Sequence, residues 1–120
     1  MWHFLKSVSF AGRGLAKAWH DEANFRTEVV IAFLVIIISY FLGMSNVGLA
    51  IIILTCVLVI GLELINTMIE LISDVLKPRL DQYIKLIKDL TAAAVSVAAV
   101  GAVGVAICLL WPLIARLLWR

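Results

Sequence analysis

The stretch LTAAAVSVAAVGAVGVAICLLWPLIA, residues 90–115, runs from Leu90 to Ala115 without a single charged side chain. A helix needs about 20 mainly apolar residues to cross the hydrocarbon of a bilayer, so this stretch is long enough to span one. Two more apolar runs precede it, Val29 to Leu42 and Val47 to Leu62. The whole chain of 120 residues is 64% hydrophobic and 15% charged. Soluble domains stand near about 45–50% and 25%, so a membrane protein is implied. The runs are continuous rather than alternating, which excludes barrel strands, because lipid forces each backbone group to pair inside its own helix or a closed barrel. The expected fold is all-α integral membrane: an N-terminal amphipathic surface helix over about residues 2–20, then spans over about 25–44, 47–76 and 86–115, in one domain.

Residues 1–28 mix Lys6, Arg13, Lys17 and Arg26 with Asp21, Glu22 and Glu28, too polar for a signal peptide, so the N-terminus is expected in the mature protein. Gly12 and Gly14 weaken the surface helix, and a break is expected near them or near His20 and Asp21. Lys77, Arg79, Lys85 and Lys88 lie between spans two and three, whereas the turn GMSN at 43–46 carries no charge. Basic residues mark the cytoplasmic side, which places the N-terminus and the 77–88 connection there and leaves Arg116 and Arg120 outside. The formal net charge of +2 reads as topology and headgroup contacts, with no nucleic-acid partner. Lys77 and Pro78 are expected to end the second span. Small residues from Ala92 to Gly104 let helices approach closely in span three.

Cys56 and Cys108 are isolated within apolar spans and read as packing, and His3 and His20 have no nucleophile beside them. No phosphate-binding loop of the G-x-x-x-x-G-K-[ST] or G-x-G-x-x-G type occurs. Chemistry concentrates instead in GLELINTMIELISD, residues 61–74. At about 100° per residue, Glu63, Asn66, Glu70 and Asp74 fall near 0°, 300°, 340° and 20°, one polar stripe about 80° wide. A carboxylate near the bilayer centre costs at least about 2.5–3.5 kcal/mol on insertion scales, so aligned acids require a cation, a proton or an ion pair. Asp74, beside Lys77 at the helix end, reads as a solvated or paired charge. Magnesium favours oxygen ligands, keeps several waters and bridges carboxylates to phosphates. Glu22, Glu63, Asn66, Glu70, Lys88 and Asp89 therefore fit a shallow intramembrane site for magnesium and a phosphorylated ligand, with Lys88 free to pair with Glu70, Asp74 or phosphate oxygens.

E-L-I-N-T-x-I-E at 63–70, with E-A-N-F-R at 22–26 before it and K-D at 88–89 after it, resembles the small prokaryotic integral-membrane diacylglycerol kinase family, which includes the undecaprenol kinases. The likeness covers almost the whole chain. It implies a homotrimer with active sites at the cytoplasmic membrane interface, shared between neighbours, and ATP-dependent phosphorylation of a lipid primary alcohol. Carried onto this sequence, it makes Glu63 the catalytic base and Asn66 a positioning group. It makes Glu22 and Glu70 ligands of the ATP-bound Mg2+, and Lys88 a contact to the phosphates. Asp89 would orient Lys88 or meet the nucleotide, and Glu28 would be peripheral to the nucleotide site. Phe10 offers no hydroxyl to a nucleotide, and RLDQYIK at 79–85 departs from the family's histidine-containing loop. L-I-N-T and the proline after span two lean toward the undecaprenol kinases, with both lipids open as acceptors. Two other classes are compatible with buried acids: a small proton- or ion-coupled transporter, and an assembly subunit whose acids pair with another chain's lysine.

Overall fold

The computed structural model describes residues 1–77, 79 and 81–120. They form four helices: α1 (Trp2–Asp21), α2 (Ala23–Phe41), α3 (Asn46–Leu76) and α4 (Asp81–Leu118). The last three are each long and apolar enough to cross a membrane, which makes this a multi-pass membrane protein. Helix α3 is central and packs against both α2 and α4, while α1 meets α2.

Helix α1 continues through Gly12 and Gly14 and breaks at Glu22, which adopts extended geometry with φ −111° and ψ 106°. Of the two expected break points, the second is the one realised. Glu22 serves both helices: its N–H bonds the Ala18 carbonyl at 2.9 Å, and its own carbonyl accepts from Arg26 N–H at 3.2 Å. The Arg26 guanidinium then reaches back to the carbonyls of Trp19 at 2.7 Å and His20 at 2.9 Å. Those carbonyls belong to the last turn of α1, where orphan acceptors and the negative end of the helix dipole favour a cation. Ala18 and Phe25 are buried on either side and close the corner. Phe10, which lacks a hydroxyl, carries the Arg13 guanidinium over its ring at 4.7 Å.

The turn between α2 and α3 is built by two devices. Gly43 takes φ 75°, a conformation that side chains with a Cβ disfavour. Ser45 then caps α3, its Oγ accepting from Gly48 N–H at 3.1 Å. Gly48 is needed for close approach, because a Cβ there would lie 2.7 Å from Met44 Cγ.

Helix α4 begins at Asp81, so most of the segment read as a loop at 79–85 is helix; Asp81 in its first turn complements the positive end of the dipole. Pro78, expected to close the second span, lies outside the described residues, and α3 ends at Leu76 with Lys77 as its cap. At 1.5 Å per residue α4 is about 57 Å long, well beyond the roughly 30 Å of a hydrocarbon core. The bundle is 62 Å in its longest dimension, so the ends of α3 and α4 project past the lipid. Pro112 sits inside α4, a placement that membrane helices tolerate.

Few residues are buried within one protomer: the apolar ones among those described are Ala18, Phe25, Ala32, Met44, Ile52 and Ile84. Large side chains such as Phe33, Leu54, Val97 and Ile107 face outward, where lipid or other helices solvate them. Local capping therefore matters more here than in a soluble core. Ser45→Ala is expected to lower stability by about 1 kcal/mol, read as a reduced thermal midpoint in mild detergent; an unchanged midpoint would show that the cap contributes nothing.

Candidate active site

The polar stripe of α3 faces α4 across a cavity of about 290 Å³. Glu63, Asn66 and Glu70 line it from α3, Lys88, Thr91 and Ser96 from α4, and Asn24 from α2. The helical spacing that aligned the α3 residues on one face is matched on α4, where Lys88, Thr91, Ala92 and Val95 recur at three- and four-residue steps. Small Ala92 leaves room for the cavity.

Glu63 is the one buried charged side chain among the described residues, with 4% of its surface exposed. It lies about 26 Å along α3 from Asn46, and Glu70 about 36 Å. Asn66 Nδ2 donates to Glu70 Oε1 at 3.3 Å and so orients that carboxylate. The hydroxyls of Thr67, Thr91 and Ser96 donate to carbonyls of their own helices, those of Glu63, Ile87 and Ala92. Lys88 Nζ donates to Asp74 Oδ1 at 3.2 Å. That contact agrees with the reading of Asp74 as a paired helix-end charge.

The remaining expected residues fall around this cavity rather than in it. Glu22 stands half-buried at the α1–α2 corner, close enough for its charge to act on Glu63. Asp89 is exposed on α4 and has no side-chain hydrogen bond among the described residues. Glu28 belongs to a second cavity, also about 290 Å³, which is apolar and lined by α2, α3 and α4. Its Oε2 is buried without a hydrogen-bond partner, and the charge of Glu63 acts on it. Glu22, Glu28, Glu63 and Glu70 thus form one electrostatic cluster in which Glu63 is central.

No basic side chain neutralises that cluster among the described residues. Their two ion pairs are Lys88–Asp74 and, on the surface of α1, Lys17–Asp21 at 2.7 Å. The Lys17 hydrogen bond and charge hold the Asp21 carboxyl below its usual range and keep it out of the site. Nor do three His, Cys, Asp or Glu side chains converge into a complete metal site among these residues. The donor set is carboxylate and amide oxygen, hard ligands suited to a magnesium ion whose other ligands are phosphate and water. An unpartnered buried Glu28 oxygen beside this set is consistent with a site short of positive charge.

Sequence reasoning missed Asn24, Thr91 and Ser96 as lining groups, and Arg26 as the brace of the α1–α2 corner. Asn24 lay within the E-A-N-F-R stretch and Thr91 one turn beyond Lys88, so spacing carried a signal for both.

The profile of prokaryotic diacylglycerol kinases matches residues 9–110. The chain belongs to the prokaryotic diacylglycerol kinase family. It is 31% identical to the diacylglycerol kinase of Escherichia coli K12 over 107 residues, covering 89% of this chain and 88% of that one. It is 35% identical to the undecaprenol kinase of Bacillus subtilis over 97 residues, covering 81% and 79%. A diacylglycerol kinase from Synechocystis is 34% identical over 111 residues, with 92% of this chain and 63% of the relative covered. This membership makes the protein a lipid kinase and sets aside the transporter and assembly-subunit readings. For a lipid kinase with this cavity, Asn66→Ala frees the Glu70 carboxylate to rotate. Lipid phosphorylation is expected to fall about a hundredfold with the helical circular-dichroism signal intact; a fall below threefold would show that Asn66 does not position Glu70.

Proposed function

We propose that the chain transfers the γ-phosphoryl group of ATP to the primary hydroxyl of a membrane lipid at the cytoplasmic membrane interface. The observation that carries this reading is the position of Glu63. It is a buried carboxylate facing the polar cavity, and it interacts with Glu28 on the rim of the apolar one. A lipid alcohol satisfies both surroundings, its chains in the apolar space and its hydroxyl at the Glu63 carboxylate.

In the proposed step, Glu63 accepts the hydroxyl proton as the lipid oxygen bonds to the γ-phosphorus. The bond from that phosphorus to the bridging oxygen breaks, and ADP leaves with the electron pair. Glu22 and Glu70 would hold the Mg2+ that accompanies ATP, and the ion would supply charge neutralisation at the phosphates. Asn66 fixes Glu70, Lys88 meets the phosphates, Asp89 contacts the nucleotide outside the cavity, and Glu28 contributes charge at its periphery. Phosphoryl transfer asks mainly for positioning and charge stabilisation, so a helix pair suffices without a phosphate-binding loop.

The amphipathic α1 is proposed to lie in the membrane surface, with the N-terminus and the α3–α4 connection in the cytoplasm of a bacterial inner membrane. Its apolar Trp2, Phe4, Leu5 and Trp19 are exposed in the protomer, which supports that location. A homotrimer with shared sites is proposed for the bundle; Glu22 and Asp89 stand outside their own protomer's cavity, as a site completed by a neighbour requires.

Glu63→Gln keeps the shape and removes the base. Turnover is expected to fall by about 10²–10⁴ while magnesium-ATP still binds and the oligomer survives; undiminished phosphorylation in this variant would remove Glu63 from the chemistry. The acceptor is decided by offering undecaprenol and diacylglycerol in parallel with labelled ATP. The L-I-N-T wording of α3 leads us to expect the higher kcat/KM with undecaprenol, and a preference for diacylglycerol reverses that assignment.

A further inference from the structure

Lys88 is the one basic side chain lining the polar cavity among the described residues, yet it does not bond the carboxylates that share the cavity with it. Its ammonium is turned outward to Asp74, which is not part of the lining. Asp74 lies one helical turn beyond Glu70 on the same face of α3, so the two acids are alternative partners for one lysine. The lysine takes the outer one, Lys88 Nζ lying 3.2 Å from Asp74 Oδ1. Ser73, beside Asp74, is 3% exposed, and Ile84, one turn before Lys88, is 1% exposed, so the backbone on both sides of the pair is held by buried side chains. Asp89, the carboxylate expected to orient Lys88, is exposed and unbonded.

Stability does not account for the pair. The Asp74 side chain is 66% exposed, and ion pairs this wet contribute about 0–1 kcal/mol. Its consequence is directional. Without Asp74, the flexible lysine chain would be drawn by the nearest anions, Glu70 and Glu63, and would neutralise the groups that need an incoming cation.

We propose that Asp74 is a positioning residue for Lys88: it parks the ammonium at the cavity rim, where nucleotide phosphates dock, and keeps it off Glu70. The proposal rests on the reading of Lys88 as a phosphate contact. On phosphate arrival the ammonium exchanges one anionic partner for another without crossing the cavity.

The test is equilibrium binding of magnesium-ATP to the purified full-length protein in lipid nanodiscs, for wild type, D74N, D74E, K88M and D74N/K88M. D74N is expected to bind about tenfold more weakly, with D74E recovering most of the loss. K88M is expected to bind at least as weakly as D74N, and the double variant no more weakly than K88M. Thermal midpoints confirm that each variant is folded, and D74E carries the test if D74N is not. Wild-type affinity in D74N, failure of D74E to recover affinity, or additive losses in the double variant would overturn the proposal. Wild-type affinity in K88M would instead overturn the phosphate role of Lys88 itself, and the proposal with it.

Discussion

Carboxylates without a protein-borne cation among the described residues, gathered between packed helices, set the terms for the rest of the molecule. Glu63 is almost fully buried, Glu28 keeps a buried oxygen without a hydrogen bond, and the basic residues nearby are committed elsewhere. Arg26 closes the end of α1 and Lys88 is held by Asp74. Leaving a buried charge unpaired is costly, and in soluble proteins a nearby lysine or arginine usually relieves it. A lipid kinase has reason not to relieve it internally. Acids already neutralised by their own protein would have nothing to offer a metal-bound nucleotide, whereas a cluster short of positive charge gains most when that charge arrives with the substrate. The scaffold must then hold the cluster together against its own repulsion, and the long, mutually packed α3 and α4 do so.

Most of the fold was legible because its signals are local. Helix α3 over Asn46–Leu76 follows from the uncharged GMSN turn before it, the apolar run from Val47 to Leu62 and the polar stripe that keeps helical spacing beyond it. The face shared by Glu63, Asn66 and Glu70 follows from helical periodicity alone. The helical part of the connection was missed because residues 79–85 read as a loop, although those from Asp81 onward belong to α4, which is longer than a span requires. Charge marks where hydrocarbon ends, not where a helix does. Gly12 and Gly14 likewise suggested a break in α1, but two exposed glycines cost about 2 kcal/mol of propensity, too little to stop a helix that has no alternative structure.

What local patterns could not carry was the pairing across helices. That Lys88 meets Asp74 rather than Asp89 or Glu70 depends on the axial register of α3 against α4, which no local pattern encodes. A shift of one turn in that register, about 5.4 Å, would exchange Asp74 for Glu70 as the partner. Glu28 shows the same limit. The family resemblance makes it peripheral to a nucleotide site, and only the packing of α2 with α3 and α4 places it at an apolar cavity.

The division into two cavities bears on how one small family includes relatives described as diacylglycerol kinase and as undecaprenol kinase. The apolar space is open at the side and lined by residues such as Ile52, Val59 and Val103, none of which distinguishes one hydrocarbon chain from another. Discrimination between apolar groups of similar width is intrinsically weak, about 1–3 kcal/mol per methylene at best in a closed pocket and less in an open one. On the proposed reading, selection would act on depth. A hydroxyl would have to reach Glu63 while its chains remain in lipid, and any membrane alcohol with that geometry would meet the requirement. Acceptor preference would then come from the few polar groups lining the two cavities, such as Asn24, Asn66 and Glu28, rather than from the walls of the apolar space.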